Sequence, residues 1–175
     1  EKVRVQGAEV ELGYKFKKSF SVTGSLSYTD GKYVSFTNAP PPLEETGGPT
    51  YKDISGGRLP GISKWAGALG TEISRPGKVI GKSGQFFLAI DVYYRSGFSS
   101  SPSPSAYLNI DGYSLLNGRI GFKAIESVSV FVWSRNILNT NYFEQLLPGA
   151  GNAGHYAAVL GDPRTIGITI RSVFN

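Results

Sequence analysis

Gly161-Asp-Pro-Arg-Thr-Ile-Gly-Ile-Thr-Ile-Arg-Ser-Val-Phe-Asn175 closes the chain and decides how the rest of it is read. Side chains alternate faces along extended backbone. Ile166, Ile168, Ile170 and Phe174 therefore share one face, while Thr165, Gly167, Thr169 and Arg171 share the other. Pro163 cannot donate to a ladder and marks the start of the strand. A segment of this kind needs two surroundings, one apolar and one polar.

Working outward, the same alternation recurs six more times, over residues 3–16, 20–33, 64–74, 85–97, 112–123 and 127–137. In the first, Ala8, Val10, Leu12, Tyr14 and Phe16 alternate with Glu9, Glu11, Gly13 and Lys15. In the fourth, Phe86, Leu88, Ile90, Val92 and Tyr94 oppose Ala89, Asp91, Tyr93 and Arg95. No amphipathic helical pattern stands out, so the expected class is all-β with about seven strands. The connections alternate in length. Residues 17–19, a ten-residue turn over 75–84, and residues 124–127 are short links. Residues 37–63, 99–111 and 138–160 are long and rich in Pro, Gly and Ser.

Composition removes several function classes. The 175 residues contain no Cys, which excludes a disulfide framework and thiolate metal sites, and the one histidine, His155, cannot build a multi-histidine site. The net charge of +5 is scattered instead of clustered, so a nucleic-acid partner is not expected. Apolar runs such as Phe86-Phe-Leu-Ala-Ile90 stop after a few residues, whereas a membrane helix needs about 18–20. The chain has no Met and begins at Glu1, so it is read as a piece of a longer protein.

A soluble β-sandwich, for instance a carbohydrate-binding one, would also show alternation. Length and aromatic placement favour a membrane barrel. Soluble strands usually run about 5–6 residues. Strands of about 12–14 residues, tilted near 45°, rise about 28–33 Å, which matches a bilayer core. Phe16, Phe20, Phe86, Phe122 and Phe174 sit at the short-turn end of the apolar faces, and Tyr28 and Tyr94 towards the long-loop end. Two aromatic levels with an aliphatic band between them form a membrane girdle. The reading is an antiparallel transmembrane β-barrel portion. Seven strands cannot close a bacterial barrel, so further strands are expected from elsewhere.

The pieces Gly7-Ala-Glu-Val-Glu-Leu-Gly-Tyr14, Phe20-Ser-Val-Thr-Gly-Ser-Leu-Ser-Tyr-Thr-Asp-Gly-Lys-Tyr33, Leu59-Pro-Gly-Ile-Ser-Lys-Trp65, Gly112-Tyr-Ser-Leu115, Arg135-Asn-Ile-Leu-Asn-Thr-Asn-Tyr-Phe143 and Gly161-Asp-Pro-Arg-Thr-Ile-Gly167, with Phe174, carry a resemblance. In this order they resemble the C-terminal part of TonB-dependent outer-membrane receptors, the 22-stranded barrels closed by an N-terminal plug. The resemblance implies that residues 1–175 are the last seven strands of such a barrel and that the plug is outside this chain. It implies a receptor in the bacterial outer membrane that takes up a scarce nutrient, most often a ferric siderophore. Its implied partners are outer-membrane lipid, the TonB-ExbB-ExbD complex acting through the absent plug segment, and the barrel-assembly machinery, which reads the terminal aromatic. Members usually end on that aromatic, whereas here Asn175 follows it. A passive porin-type barrel is the alternative.

No catalytic constellation emerges, so no enzyme activity and no cofactor are expected. Asp91 and Arg95 share a face and read as a lumen-facing ion pair or plug contact. Glu44, Glu45 and Asp53 share a loop and read as solvated charge in preference to a metal site. The Gly149–Gly154 run lacks a phosphate-loop pattern and reads as a flexible loop. The ligand-facing candidates are Tyr93, Arg95, Trp133 and Arg135 on inward faces, and Tyr142, Phe143, His155 and Tyr156 in the last long loop. Aromatic and Arg side chains suit an anionic aromatic iron chelate through stacking and charge.

Overall fold

The computed structural model describes residues 1–17, 19–45, 47–124, 128–149 and 154–172. Eleven strands are described: β1 (Lys2–Phe16), β2 (Phe20–Ser35), β3 (Trp65–Val79), β4 (Lys82–Arg95), β5 (Phe98–Ser99), β6 (Asn109–Ile110), β7 (Tyr113–Ala124), β8 (Val128–Arg135), β9 (Phe143–Pro148), β10 (Tyr156–Leu160) and β11 (Thr165–Ser172). Seven of them form one antiparallel sheet in the order β1-β2-β3-β4-β7-β8-β11. These are the seven expected strands, each paired with its sequence neighbours. The other four make two small hairpins, β5–β6 and β9–β10, inside the long connections. No described helix is long and apolar enough to cross a membrane, which says nothing about strands.

The register explains the alternation. Phe16, Phe20, Ile73, Leu88, Ile120, Val132 and Ile168 stand opposite one another in turn, one apolar residue from each of the seven strands. The face they occupy is uncovered: Leu12, Leu69, Ile120 and Ile168 are 73%, 57%, 59% and 70% exposed. A sandwich would bury this face under a second sheet, and none of the described elements lies over it. That removes the sandwich alternative. The two aromatic levels are also present. Phe86 packs on Phe122 at 4.9 Å between ring centroids, and Tyr28 packs on Trp65 at 4.8 Å. Phe20 and Tyr28, like Phe86 and Tyr94, are eight residues apart on one strand. That is about 26 Å of strand, or about 20 Å of height at a 40° tilt, close to the apolar band of a membrane barrel. Phe174 lies outside the described residues.

Above the Tyr28 level the pattern inverts. Tyr33, on the opposite face of β2, is buried with Ala39 and Ile54, and Phe36 and Leu59 pack around them. A Cβ on Gly31 would stand 2.5 Å from Ile62 Cδ1, so a larger residue here would make the Ile62 side chain shift. Here the first long loop folds against the sheet face that is polar lower down.

Three expectations are corrected. The turn between the third and fourth strands is not ten residues long. β3 and β4 continue to the pair Val79↔Lys82, and only Ile80 and Gly81 turn, with φ of 48° and 75°. Both values are positive, as a two-residue type I′ hairpin requires. Pro76 obscured this in the sequence, because Pro inside a run argues against a strand. Its tolerance follows from direction. The Ser74 N–H donates to Ser19 O on the β2 side. Backbone N–H groups alternate sides, so the Pro76 nitrogen points the same way, past the start of β2, where no ladder bond is needed. The last long connection is not all loop: residues 143–148 and 156–160 pair as a hairpin. Gly149 and Gly154 bracket its tip, and residues 150–153 of the glycine run lie outside the described residues. Finally, the sixth strand stops at Arg135 because Asn136 adopts φ of 48°.

Candidate functional site

The polar face carries the candidate site. Asp91 from β4, Asn117 and Arg119 from β7, Trp133 and Arg135 from β8 and Thr169 from β11 line one open cavity of about 470 Å³. Register assembles it: Asp91 stands opposite Asn117, Arg119 opposite Trp133, and Trp133 opposite Gly167. Trp133 is fixed from two sides. Its Nε1–H donates to Thr169 Oγ1 at 3.1 Å, and its ring lies where a Cβ on Gly167 would be, 2.3 Å from Cζ2. The indole N–H is therefore used within the wall, and Trp133 offers a ligand only its ring. The Arg135 guanidinium sits 5.4 Å from that ring. Arg119 is held by Glu72 at 3.3 Å, a half-exposed pair of modest strength. The cavity thus presents two guanidiniums, one indole face and one carboxylate.

A second aromatic group rises towards the loops. Tyr93 stands 6.4 Å from Tyr113, and Tyr113 stands 4.4 Å from Tyr142. Tyr142 covers Gly161, whose N–H donates to Tyr142 O. Burial, with Glu144 nearby, pushes the Tyr142 phenol up from its ordinary range, so it remains a neutral donor at physiological pH.

The remaining candidates are placed differently. Arg95 does not pair with Asp91. Its Nε donates to Ser63 Oγ at 3.0 Å, Nη2 donates to Gly61 O at 3.3 Å, and the guanidinium lies 3.8 Å from the centre of Phe98. Two fixed acceptors and a stacked ring draw it up into the loops, away from the carboxylate four residues below. Phe143 starts β9 opposite Leu160, and His155 is exposed at the end of that hairpin, where its backbone oxygen accepts from the Gly149 N–H. Neither joins the cavity. Tyr156 is a fastening: its hydroxyl donates to Glu44 Oε2 at 2.5 Å, and its ring meets Tyr107 at 5.3 Å.

Glu44 is the hub of the outer loops, which its sequence context did not reveal. It accepts from Ser105 Oγ at 3.1 Å, the Ala106 N–H at 2.9 Å and the Tyr156 hydroxyl, which come from the second and third long loops. Gly61 N–H donates to Ser99 O, and Ser100 Oγ both donates to Leu146 O and accepts from the Leu146 N–H, closing the triangle. Glu45 instead pairs with Lys52, and Asp53 accepts from the Ser55 N–H. No cluster of metal-ligating side chains occurs among the described residues. Packing pushes the Glu44 carboxyl up, but the donors from Tyr156, Ser105 and Ala106 outweigh it and hold the group down to about 2. A depressed folded value means the fastening is complete above the ordinary carboxylate range and fades only as pH falls through that range towards 2. Amide protection at Ala106 should therefore survive at pH 5 and be lost near pH 2. Glu44→Ala should remove it at every pH. Protection that is unchanged in the variant would refute the fastening.

The sequence is similar to a family model described as TonB dependent receptor-like, beta-barrel, which matches residues 1–137. Comparison with curated proteins finds no match. Among the solved structures that share the fold are two receptors. One is the ferric yersiniabactin uptake receptor FyuA from Yersinia pestis, with TM-score 0.77 and 16% identity, over 99% of this chain and 24% of that one. The other is the siderophore receptor PiuA from Acinetobacter baumannii, with TM-score 0.69 and 14% identity, over 97% of this chain and 22% of that one. The chain spans about a quarter of the length of either.

Proposed function

The chain belongs to the TonB-dependent receptor β-barrel family, and from that premise we propose that it is the C-terminal portion of an outer-membrane receptor for TonB-driven uptake of a ferric siderophore. Family members are transporters, not enzymes. The observation that carries the membrane reading is the uncovered apolar face between two aromatic levels. The opposite face would then line the lumen. In this reading residues 1–175 supply seven strands of a 22-stranded barrel, and the plug that contacts TonB, ExbB and ExbD acting behind it, precedes them in the whole protein. Arg119, Arg135 and the Trp133 ring give the wall a preference for an anionic ligand with flat aromatic parts, such as an iron chelate. The similarity of the fold to FyuA and PiuA agrees with this.

The test is uptake of radioactive iron, supplied as a panel of chelates, in cells lacking the full gene and complemented with wild type or with Arg119→Gln/Arg135→Gln. Loss of uptake of one chelate on deletion, restored by wild type and abolished by a proton uncoupler, is the expected result. Unchanged uptake of every iron chelate would sink the iron reading. Uptake that resists the uncoupler would favour the passive porin.

A further inference from the structure

The polar face carries a second cavity, of about 500 Å³, nearer the short-turn end than the one lined by Trp133. Its floor is aromatic. Phe87 on β4 and Phe131 on β8 both stand opposite Gly121 on β7, and their rings meet across it, edge to face, at 6.0 Å. Gly121 leaves the room for this, since a Cβ there would stand 2.4 Å from the Phe131 Cβ. The rim is cationic. Lys123 on β7 and Arg171 on β11 are both register partners of Ser129 on β8. They share a face two strand spacings apart, about 9.5 Å. Both are exposed, and neither has a carboxylate within ion-pair distance among the described residues. Arg119 completes the rim with its partner Glu72, the one carboxylate on the lining among the described residues.

Arg119 and Phe131 line both cavities. Cations therefore descend the wall in steps. Arg135 lies two residues along β8 from Trp133, the register partner of Arg119, and Lys123 lies four residues below Arg119 on β7, steps of about 7 Å and 13 Å along the strands. Lys123 adjoins Phe122 of the lower aromatic level, so the last step lies at the short-turn end of the sheet.

We propose that the lower cavity is a second, weaker station for an anionic aromatic cargo, occupied after it leaves the Trp133 cavity and before release at the short-turn side. The lower cavity repeats the chemistry of the upper one, cations around an aromatic ring, which suits carboxylate or phenolate oxygens carried on a flat ring. Arg119 belongs to both, so the cargo passes between them without losing every charge contact. Exposed cations are screened and hold an anion loosely. A transit site has to bind well enough to be entered and weakly enough to be left. The proposal rests on the receptor reading above and adds the groups the cargo touches on its way out.

The experiment uses cells lacking the full gene and complemented with the full-length receptor. The probes are iron-55 complexes of 2,3-dihydroxybenzoate and of salicylate, both anionic and aromatic. Binding is measured with the proton uncoupler and uptake without it, each normalised to the heat-resistant folded receptor in the outer membrane. The variants are Lys123→Gln/Arg171→Gln, the charge-keeping Lys123→Arg/Arg171→Lys, and Lys15→Gln, which removes a polar-face cation at the same end of β1, outside the cavity. Uptake by Lys123→Gln/Arg171→Gln should fall about tenfold, the size expected for two lost exposed ion contacts, with binding unchanged. The charge-keeping variant and Lys15→Gln should match wild type. Unchanged uptake in Lys123→Gln/Arg171→Gln overturns the station alone. An equal fall in binding also overturns it, because the cations would then act on entry. So does entry of vancomycin into cells carrying that variant, because the cations would then be holding a plug segment closed. If wild type takes up neither complex, the cargo reading itself fails and the station falls with it.

Discussion

Ile90→Arg should destabilise the full-length receptor by about 2–4 kcal/mol in a bilayer, the cost of Arg at the midplane of a lipid-facing strand. Ile90 is four residues from Phe86 and four from Tyr94, midway between the aromatic levels of β4. It is 37% exposed with no protein above it. In water, an exposed position of this kind would tolerate Arg within about 0.5 kcal/mol. The size of the effect therefore reports the solvent that meets this face, not packing. The matched control is Thr23→Lys, exposed on the polar face of β2, which should stay under about 1 kcal/mol, as lumen substitutions mainly tune selectivity. Urea unfolding of the receptor in phospholipid vesicles measures both. Equal small effects would show that lipid does not touch β4.

Asn136→Ala should cost about 3–5 kcal/mol, in the range reserved for a broken buried network. Asn136 is only 3% exposed. Its Nδ2 donates to Thr140 O at 2.9 Å and Asp162 O at 3.0 Å, its Oδ1 accepts from the Thr140 N–H at 2.8 Å, and its own N–H donates to Asn117 Oδ1 at 3.0 Å. Each buried group left without its partner costs about 1–3 kcal/mol. Its φ of 48° adds strain for Ala that Asn tolerates. Asn136→Gly relieves the backbone but not the lost bonds and should fall between wild type and Ala, whereas Asn136→Asp aims a buried charged acceptor at the Thr140 and Asp162 carbonyls and should cost at least as much as Ala. If Gly matches wild type, the side-chain bonds are not what hold the end of β8.

The fold was legible because two independent periodicities agreed. Alternation placed the strands, and the rise of aromatics and aliphatics along them placed the solvents. Neither depends on long-range contact, so Leu88, Ile120 and Ile168 could be assigned faces before their register was known. What failed depended on neighbours. Pro76 broke the local pattern, yet its missing N–H points where no strand needs it. β9 and β10 are too short and too apolar on both faces to show a clean period. The site was half readable. Parity put Tyr93, Trp133 and Arg135 on the inner face, and the same parity on β7 marks Arg119 and Asn117. The destination of a flexible side chain has no period. Arg95 turned to Ser63 and Phe98, and Glu44 gathered residues 61 and more positions away, because the loops that carry their partners are fixed by tertiary contact alone.

The flat seat of the Trp133 ring over Gly167 would bear on traffic through the proposed lumen. A ring that lies down on a neighbouring strand thickens the wall little and leaves the bore open. Its outward edge is spent on Thr169, so what faces the passage is a smooth, weakly adhesive plate. In the proposed receptor a cargo moving along it would meet contact area from the indole, with the holding left to Arg119 and Arg135.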